Sequence, residues 1–362
     1  MSSQPSSVLL VLDKAGAGGM QALVGLLASG LSHAGLEVHV ASGGNAAMPE
    51  AFENALKEEP SITWHHLADP SGLRGRIRWL SGLARIIRNV RPDIIHGHGM
   101  RTAWPCVLIG RRSPHRILVT CHGLDPDALK RTSRMVKFSR VRVGAVGPSL
   151  VRDLRQHGVA ATLLINGVPP APTPADKRSL MESFGLDPNL ALVVSPARLS
   201  PQKDPLTLLA AIAEVPMAAL LFVGGGPLND TVAAAITERG LTGRVGLAGW
   251  RHDSRQIIGA ATVVAMSSRW EGQALAMLEA AMAGVPLVTT KCPGVIDWLE
   301  DGVEALMSPV GDAGALASSL RRVLEDPALR KRLIAGAASV ASRHSVDAMV
   351  TAHLNEYRAM IR

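Results

Sequence analysis

Two series of short apolar runs, each alternating with helical patterns, most constrain the fold of this chain. In the first series the strand-like runs are SVLLVLD (7–13), EVHVASGG (37–44), DIIHGHG (93–99), RILVTCHG (116–123), the start of VGAVGPSLVRDLRQHG (143–158) and ATLLING (161–167). In the second series they are LALVVSPAR, AALLFVGGG, RVGLAGW, ATVVAMSS and PLVTT. Strands separated by helices favour parallel sheets that are covered by helices on both faces. We therefore predict an α/β protein with two Rossmann-like domains facing a central cleft, and ligands beyond the carboxyl ends of the strands.

A proline-rich stretch, VPPAPTPADKRS (168–179), separates the two series and holds four prolines. Proline interrupts both helices and central strands, so this stretch is typical of a linker. The chain has 362 residues, which is more than one compact domain usually holds. We predict an N-terminal domain over 1–167, a linker over 168–189, a C-terminal domain over 190–345 and a last helix over 346–362.

The composition narrows the class of protein. Hydrophobic residues make up 47% of the chain and charged residues 19%, which excludes a disordered chain. No stretch reaches about 18 consecutive apolar residues, and the first apolar run lacks a preceding basic residue, so we expect neither a spanning helix nor a signal peptide. Cys106, Cys121 and Cys292 are widely spaced, and we interpret them as reduced thiols of a cytoplasmic protein.

The positive charge lies in the first half of the chain. Residues 1–170 hold 20 Lys and Arg against 11 Asp and Glu, a net charge of +9, whereas the remainder has a net charge of −1. The basic segments are 73–92, 110–116 and 129–143. Such a half attracts phosphate-rich substrates, nucleic acid or acidic lipid headgroups, unless it is an ordinary solvated face.

Two glycine-rich turns follow predicted strands. AGAGG (15–19) and GGGP (224–227) both lack the third glycine of G-x-G-x-x-G, because Gln21 and Asn229 stand at that position. This disfavours a standard dinucleotide site and hence a dehydrogenase. The turns can bring backbone N–H groups close to a phosphate, or they can be tight strand-to-helix connections.

Two candidate metal sites are weak. Asp125 and Asp127 form a D-x-D pattern, yet Asp125 followed by proline is also a good helix N-cap. His96, His98 and His122 could supply zinc ligands, but they stand at the ends of two strands, where a substrate contact is equally reasonable. We predict no bound metal and no cofactor.

The segment SRWEGQALAMLEAAMAG (268–284) places two glutamates eight residues apart. A helix starting near Ala274 leaves the amides of Gln273, Ala274 and Leu275 as donors for an anion. Glu271 precedes the helix, whereas Glu279 lies inside an apolar run, where an unpaired carboxylate is costly unless ligand hydroxyls approach it. A ligand with hydroxyls, phosphates and further hydroxyls fits this order, and a nucleotide sugar has that form. A helix with one glutamate at its rim is the alternative.

A second pair of charges supports the same ligand. Arg198 follows a predicted strand, and Lys203 comes five residues later, before a helix. Two cations beside a strand end suit a diphosphate, which arginine can bind through two parallel hydrogen bonds.

With these motifs the chain resembles the GT-B-fold, retaining nucleotide-sugar glycosyltransferases of family 4. The matching segments are ARLSPQKD, LLFVGGGP, GLAGW, WEGQALAMLEAAMAGVPLV, LLINGV and GAGGMQALVGLLASGLSHAGLEVHV, and the resemblance covers nearly the whole chain. It differs from the usual family pattern at Ala197, Pro169, Gln273 and Ala274. The change at Gln273 leaves the identity of the sugar open.

The resemblance implies roles for individual residues. Glu271 would bind the donor sugar and Glu279 the ribose, while Arg198 and Lys203 would bind the diphosphate and stabilise its departing charge. His122 would lie near the donor sugar. The remaining donor-binding residues would be Gly18, Gly19, Gly225, Trp250, Arg251, Gly272, Gln273, Ala274 and Leu275. The terminal helix would cross back to the first domain, and catalysis would need no metal.

We expect a glycosyltransferase that uses a nucleotide sugar and no nucleic acid. A soluble small acceptor, a GT-B-fold epimerase and a non-catalytic sugar-binding protein remain alternatives. For the acceptor, the charge of the first domain is the evidence. RGRIRWLSGLARIIRNVR (74–91) predicts an amphipathic helix whose apolar side packs on the sheet, while its arginines form a cationic surface. We therefore expect a peripheral enzyme on an anionic membrane, acting on a lipid-linked or lipopolysaccharide-type acceptor.

Overall fold

A computed structural model describes residues 4–13, 18–44, 61–109, 116–123, 126–137 and 141–361. The chain divides into two compact units. The first comprises Met1–Gly167 together with Ser345–Arg362, and the second comprises Val168–His344.

The first unit contains a parallel sheet. Its strands are β1 (Ser7–Leu12), β2 (Glu37–Gly43), β3 (Ile62–Leu67), β4 (Ile94–His98), β5 (Ile117–Cys121), β6 (Arg142–Ala145) and β7 (Ala161–Leu163). Their order in the sheet is β3-β2-β1-β4-β5-β6-β7, and every pair is parallel. The order reverses between β1 and β4, which defines a switch point. The edge strand β3 was not predicted, because its sequence ITWHHL is too polar for an apolar run.

The helices of the first unit cover this sheet. They are α1 (Gly19–His33), α2 (Gly72–Val90), α3 (Ala103–Ile109), α4 (Pro126–Val136), α5 (Pro148–Gln156) and the terminal helix, numbered α13 (Val346–Ile361). Helix α13 packs closely on α1, since a methyl group at Gly30 would lie 2.3 Å from the Val350 side chain. The terminal helix therefore returns to the first domain, as the resemblance implied.

The second unit repeats the same architecture. Its strands are β8 (Ala191–Ser195), β9 (Ala218–Phe222), β10 (Val245–Leu247), β11 (Val263–Ala265), β12 (Leu287–Thr290) and β13 (Ala305–Ser308), in the order β10-β9-β8-β11-β12-β13. Its helices are α6 (Lys177–Ser183), α7 (Pro205–Ala213), α8 (Asn229–Glu238), α9 (Ser254–Ala260), α10 (Leu275–Met282), α11 (Ala313–Glu325) and α12 (Pro327–Arg343). Two parallel Rossmann-like sheets confirm the predicted fold class. Strand β13 was not predicted.

Alternation of side chains along the strands gives the second unit two cores. Leu192 and Val194 of β8 lie in one apolar cluster, while Val193 between them lies in the other. Strands buried on both faces require near-continuous apolar sequences, which is the pattern that made these runs visible in the sequence.

The stretch predicted as a linker is more ordered than its prolines suggested. It contains α6, whose N-cap Asp176 accepts a hydrogen bond from the Ser179 amide. Leu180 and Met181 are buried in the core of the second unit. Apolar residues after the prolines thus make 168–189 part of that unit, because they supply one wall of its core.

Candidate functional site

The switch point of the second sheet lies between β8 and β11, which are neighbours. Because both strands run in the same direction, the loops that follow them leave from one edge of the sheet. Residues 196–204 follow β8 and residues 266–274 follow β11. Arg198, Lys203 and Glu271, which the sequence marked, all lie in these two loops.

Hydrogen bonds join the two loops. Ser267 Oγ donates to the carbonyl oxygen of Lys203 at 3.0 Å, and the Arg269 amide donates to the carbonyl oxygen of Gln202 at 2.8 Å. Gln202 Nε2 in turn donates to the carbonyl oxygen of Trp270 at 2.9 Å. The polar backbone groups of the two loops therefore satisfy one another and hold the loops at a fixed distance.

An ion pair between Arg269 and Asp204 also joins the two loops. Asp204 is buried and has a positive φ of 47°, which is uncommon for a residue other than glycine. Its carboxylate accepts from Arg269 Nε at 3.1 Å. The first residue of α7 after it is proline, whose fixed φ suits a helix start. Asp204 thereby ends the loop that carries Lys203.

Glu271 and Lys203 contact each other directly. Lys203 Nζ lies 2.5 Å from Glu271 Oε1, and Ser268 Oγ donates to the same oxygen at 2.5 Å. The Glu271 side chain is only 4% exposed and that of Lys203 18% exposed. Thr290 holds the backbone of this loop, since its Oγ1 donates to the carbonyl oxygen of Ser268 at 2.5 Å. A nearly buried carboxylate is tolerated here because a cation and a hydroxyl compensate its charge.

Gly294 lies against the backbone of Glu271. Its φ is +83°, and a β-carbon there would lie 2.1 Å from the Glu271 carbonyl oxygen. The Glu271 amide donates to the carbonyl oxygen of Pro293 at 2.9 Å. Only glycine combines this conformation with so close an approach, so the segment after β12 fixes the position of the glutamate.

The helix that follows begins at Leu275, with Ala274 as its N-cap and no side-chain capping bond. Gly272 and Gln273 precede it and are buried. Glu279, the glutamate inside the helix, has a partner that the sequence did not reveal. Arg255 Nε lies 3.9 Å from Glu279 Oε1, and the Glu279 side chain is 19% exposed. Burial raises the pKa of Glu279, while Arg255 acts in the opposite direction.

The glycine-rich turn after β9 packs against the loop of Arg198. A β-carbon at Gly224 would lie 2.3 Å from the Ala197 carbonyl oxygen, and one at Gly226 would lie 2.2 Å from that of Leu199. The Leu199 amide donates to the carbonyl oxygen of Gly225 at 3.1 Å. The glycines therefore allow two backbones to touch, and the Arg198 side chain is left exposed at the strand end.

The predicted donor contact of Arg251 finds a protein partner. Its Nε and Nη2 donate to the two carboxylate oxygens of Asp253 at 2.8 Å and 2.6 Å. The hydrogen bond from Arg251 lowers the pKa of Asp253. Trp250 beside it is 54% exposed. Both of these Arg251 donors are thus already engaged by Asp253, which the sequence pattern did not predict.

In the first unit, the residues marked by the sequence lie after β1 and β5. Gly18 is the N-cap of α1 and Gly19 its first residue. His122 follows β5, and its Nε2 lies 3.2 Å from Nδ1 of His98, the last residue of β4. Burial lowers the pKa of His122 to about 3, so its imidazole is neutral.

Two predicted features fall wholly or partly outside the described residues. Asp125 is outside them, and the side chain of Asp127 is not described. Within the described part of the chain, no group of three or more His, Cys, Asp or Glu side chains is arranged to hold a metal ion. His96, His98 and His122 do come together, but as partners of one another.

Several residues of these sites were not found by sequence reasoning. They are Ser268, Arg255, Gly294 and, in the first unit, the pairing of His98 with His122. Ser268 carried a usable signal, because it follows a strand at the edge where ligands bind. Arg255 and Gly294 carried none, since their importance depends on contacts with residues 24 and 23 positions away in sequence.

Two family profiles match the chain. The profile described as Glycosyltransferase Family 4 matches residues 17–172, and the one described as Glycosyl transferases group 1 matches residues 176–340. Together they span nearly all of both units.

Individual relatives match in part. The lipopolysaccharide core biosynthesis glycosyltransferase LpsE of Rhizobium meliloti is 33% identical over 164 residues, which is 45% of this chain and 48% of that protein. The UDP-Gal:alpha-D-GlcNAc-diphosphoundecaprenol alpha-1,3-galactosyltransferase of Escherichia coli is 26% identical over 69% of this chain and 71% of that protein. The match thus spans about half the length of the first relative.

A solved structure matches almost end to end. The Anabaena protein HepE, crystallised in complex with UDP-glucose, superposes with a TM-score of 0.83 over 97% of this chain and 98% of that chain, at 20% identity. At this level of identity the likeness concerns the fold. Among the helices of the described residues, none has the length and apolar composition needed to cross a membrane.

Proposed function

Because the chain belongs to the GT-B-fold glycosyltransferases of group 1, we propose that it moves a sugar from a nucleoside diphosphate sugar to an acceptor hydroxyl. The contact between Lys203 and Glu271 at the second switch point carries this proposal. It sets a cation for phosphate beside a carboxylate for sugar hydroxyls.

The diphosphate binds at Arg198 and Lys203. The ammonium group of Lys203 has three donors, so it can hold Glu271 and still donate to a phosphate oxygen. Arg198 is exposed at the same strand end. The start of α10 at Leu275 adds backbone donors and the positive end of a helix dipole. These contacts attract an anion from two loops at once.

The two glutamates recognise hydroxyls on either side of the diphosphate. Both side-chain hydrogen bonds to Glu271 from the described residues end on Oε1, which leaves Oε2 to accept from the donor sugar. Glu279 accepts the ribose hydroxyls, and the distance of 3.9 Å to Arg255 leaves its oxygens available. Gly272, Gln273 and Ala274 lie between the two glutamates along the chain. Contacts of Gly18, Gly19, Gly225, Trp250 and Arg251 with the donor stay predictions.

The chemistry follows from the charge of the leaving group. The acceptor oxygen bonds to the anomeric carbon as the carbon–oxygen bond to the diphosphate breaks, and the diphosphate keeps the electron pair and takes the acceptor proton. Lys203 and Arg198 stabilise the charge that develops on it. We propose retention of configuration, as in the family that the sequence resembles, and no metal requirement. Activity lost with EDTA and restored by Mn²⁺ would contradict the latter.

A transfer assay tests the proposal. Radiolabelled nucleotide sugars are incubated with the protein and a membrane extract, after a thermal-shift screen of nucleoside diphosphates has selected the base. We expect label in a product and stabilisation by one diphosphate. Epimerised free nucleotide sugar would indicate the epimerase, and stabilisation without any turnover would indicate a sugar-binding protein.

We propose a lipid-linked or lipopolysaccharide-type acceptor, reached from the cytoplasmic face of a membrane. The similarity to LpsE and to the diphosphoundecaprenol galactosyltransferase supports this class. Helix α2 buries Trp79 and Leu83 and exposes the arginines of its outer side, which we name the α2 basic face: Arg74, Arg76, Arg78, Arg85 and Arg88.

The α2 basic face also presents apolar side chains. Leu73 is 77% exposed and Ile77 is 57% exposed, one helical turn apart at the start of α2. Each cation beside an anionic bilayer contributes about 1 kcal/mol, and exposed aliphatic groups add apolar area that leaves water. The face therefore suits reversible docking on anionic lipid.

Co-sedimentation with liposomes tests the docking. Binding should require anionic lipid and weaken with salt. It should also fall when Arg85 and Arg88 of the α2 basic face, together with Arg131, which is exposed on α4, become Glu. The matched control replaces Lys331, Arg332 and Arg343, which are exposed on α12 of the second unit, by Glu. Equal loss in both triple variants, or equal binding to neutral vesicles, would favour a soluble acceptor.

A further inference from the structure

His98 makes a hydrogen bond that determines what His122 can do. The ring nitrogen Nδ1 of His98 lies 3.2 Å from Nε2 of His122, and the two rings stack with centroids 5.4 Å apart. His98 is 1% exposed, at the end of β4 where the strand order of the first unit reverses. We infer that His98 is a positioning residue that fixes the ring orientation and the tautomer of His122. The inference rests on the proposed function and on the role near the donor sugar that the family resemblance implies for His122.

The position of His98 is itself well defined. The ring of His96 lies behind it with centroids 4.0 Å apart. Both nitrogens of His96 are engaged, with the Tyr357 hydroxyl at 2.7 Å and with Thr120 Oγ1 at 2.7 Å. Tyr357 belongs to α13, so the terminal helix closes this side of the cluster. Rings packed in this way cannot rotate freely.

The backbone next to His98 is held by hydrogen bonds and close packing. Thr102 Oγ1 donates to the carbonyl oxygen of Gly99 at 2.7 Å, and the Gly99 amide donates to the Thr120 carbonyl oxygen at 2.9 Å. Added atoms at Gly97 would lie 2.5 Å from Thr102 Oγ1. The backbone on both sides of His98 is therefore fixed. The hydrogen bond between His98 and His122 can then differ only in which of the two nitrogens donates.

That direction follows from the other ring nitrogen. Nε2 of His98 is buried and has no hydrogen-bond partner among the described residues. A buried N–H without an acceptor is rarer in proteins than a buried acceptor without a donor. His98 therefore carries its proton on Nδ1 and donates to Nε2 of His122. Burial, together with the neighbouring imidazoles His96, His122 and His353, keeps the pKa of His98 well below its usual value, so only one ring proton is present.

The consequence concerns the outer face of His122. Since its Nε2 accepts a hydrogen bond and its ring is neutral, its proton is on Nδ1. His122 therefore offers an N–H donor, and no basic nitrogen, to a ligand oxygen that approaches this edge of the first sheet. It positions and polarises that oxygen, and it does not remove a proton from the acceptor.

Asparagine and glutamine at position 98 separate this role from simple packing. The asparagine amide nitrogen stands where Nδ1 stands in histidine, whereas the glutamine amide reaches the place of Nε2. We expect His98→Gln to lower kcat about tenfold with little change in the donor KM, as loss of one hydrogen bond would. His98→Asn should stay within about threefold of wild type. Equal losses in both variants would overturn the inference.

His344 provides a matched control. It is also 1% exposed, bonds through Nδ1 to the Val340 carbonyl oxygen at 2.7 Å, and leaves Nε2 without a partner among the described residues. It belongs to the second unit. His344→Asn and His344→Gln should leave kcat near the wild-type value, whatever they do to thermal stability.

A double-mutant cycle shows whether His98 acts through His122. In a His122→Ala background, His98→Gln should cause no further loss of kcat, because the group that it positions is gone. Losses that multiply would mean that His98 supports the site by another route, and would contradict the inference.

Nitrogen-15 NMR of histidine-labelled wild-type protein reads the tautomer without any turnover. We expect His122 to carry its proton on Nδ1 and to show an unprotonated Nε2. Protonation on Nε2 overturns the inference even if every variant behaves as expected. Absence of sugar transfer by the wild type would refute the proposed function alone, since this measurement needs no substrate.

Discussion

The two sheets have the same strand order around their switch points, but the side chains at their carboxyl edges differ in charge. After β8 and β11 the loops carry ion pairs, with Lys203 against Glu271 and Arg269 against Asp204. In the first unit the ends of β4 and β5 carry neutral imidazoles, of which His98 and His122 contact each other. An ion pair at its switch point is looser, with Arg101 Nη1 3.6 Å from Asp13 Oδ2 and the Arg101 side chain 86% exposed. Topology places the candidate functional side chains at the carboxyl edge of the sheet in both units, while residue type decides what that edge can bind.

The difference follows from the cost of burying charge. A carboxylate near a low-dielectric interior needs a counter-charge, so Glu271 is found only with Lys203 and Ser268 beside it. Imidazoles can lose their charge instead, so histidines gather with no counter-ion. The charged edge suits an anionic donor, and the neutral edge suits directional hydrogen bonds.

Removing Lys203 should have the largest effect on the charged edge. Lys203→Ala takes away the phosphate contact and leaves the Glu271 carboxylate without its cation, so we expect kcat/KM for the donor to fall about 100-fold or more, roughly 3 kcal/mol. Lys291 is the control, because it pairs with Asp301 at 2.9 Å while 50% exposed. Lys291→Ala should change kcat/KM for the donor by the equivalent of less than about 1 kcal/mol. Similar values of kcat/KM in the two variants would contradict a special role of Lys203 at the charged edge.

A methyl group at Gly294 tests how rigidly the charged edge is held. Gly294→Ala should destabilise the second unit by about 3 kcal/mol, since it combines an unfavourable φ with a collision against Glu271. Gly302 has a φ of +80° and nothing within 4 Å of an added β-carbon, so Gly302→Ala isolates the backbone term. Denaturant unfolding of both variants gives the difference. Equal losses would show that the contact with Glu271 contributes nothing.

Acid should destabilise the first unit more than the second. Burial lowers the pKa of His122 to about 3 and of His353 to about 4, whereas both titrate near 6.5 in the unfolded chain. Below pH 6.5 the unfolded state therefore binds more protons, and the stability of the first unit falls as the pH drops. Each of the two histidines should lower the free energy of unfolding of the first unit by roughly 1 to 2 kcal/mol between pH 6.5 and pH 5.

The second unit contains two histidines, and burial lowers the pKa of one of them, His344. Its loss over the same range should therefore be smaller. Amide hydrogen exchange at pH 6.5 and pH 5 measures each unit separately. Equal acid sensitivity would mean that the imidazole cluster is less buried than its contacts indicate.

Neutralising each glutamate should give the smallest effect. We expect Glu271→Gln to lower kcat about tenfold, because its contact is to the sugar on which charge develops, and Glu279→Gln to raise the donor KM about fivefold. Steady-state kinetics with the donor varied distinguishes them. The reverse pattern would exchange the two roles.

Local sequence identified much of the fold because strands buried on both faces need continuous apolar runs. It missed β3 and β13, which lie at sheet edges and carry mixed sequences. It also marked Arg198, Lys203 and Glu271, since charges after strands are conspicuous, and Glu279 as a lone carboxylate in an apolar helical run. It did not find the direct contact of Lys203 with Glu271, which are 68 positions apart.

What the sequence by itself determined is the alternation of strands and helices, the basic first half and the residue types at the strand ends, because each depends on neighbours along the chain. Only the tertiary structure decided which strand ends are adjacent. It places Arg255 beside Glu279 and His98 beside His122, and it makes the proline-rich stretch part of the second unit. The physical reason is that strand order and side-chain burial depend on long-range packing, and these set the charge state and hydrogen-bond direction of each group.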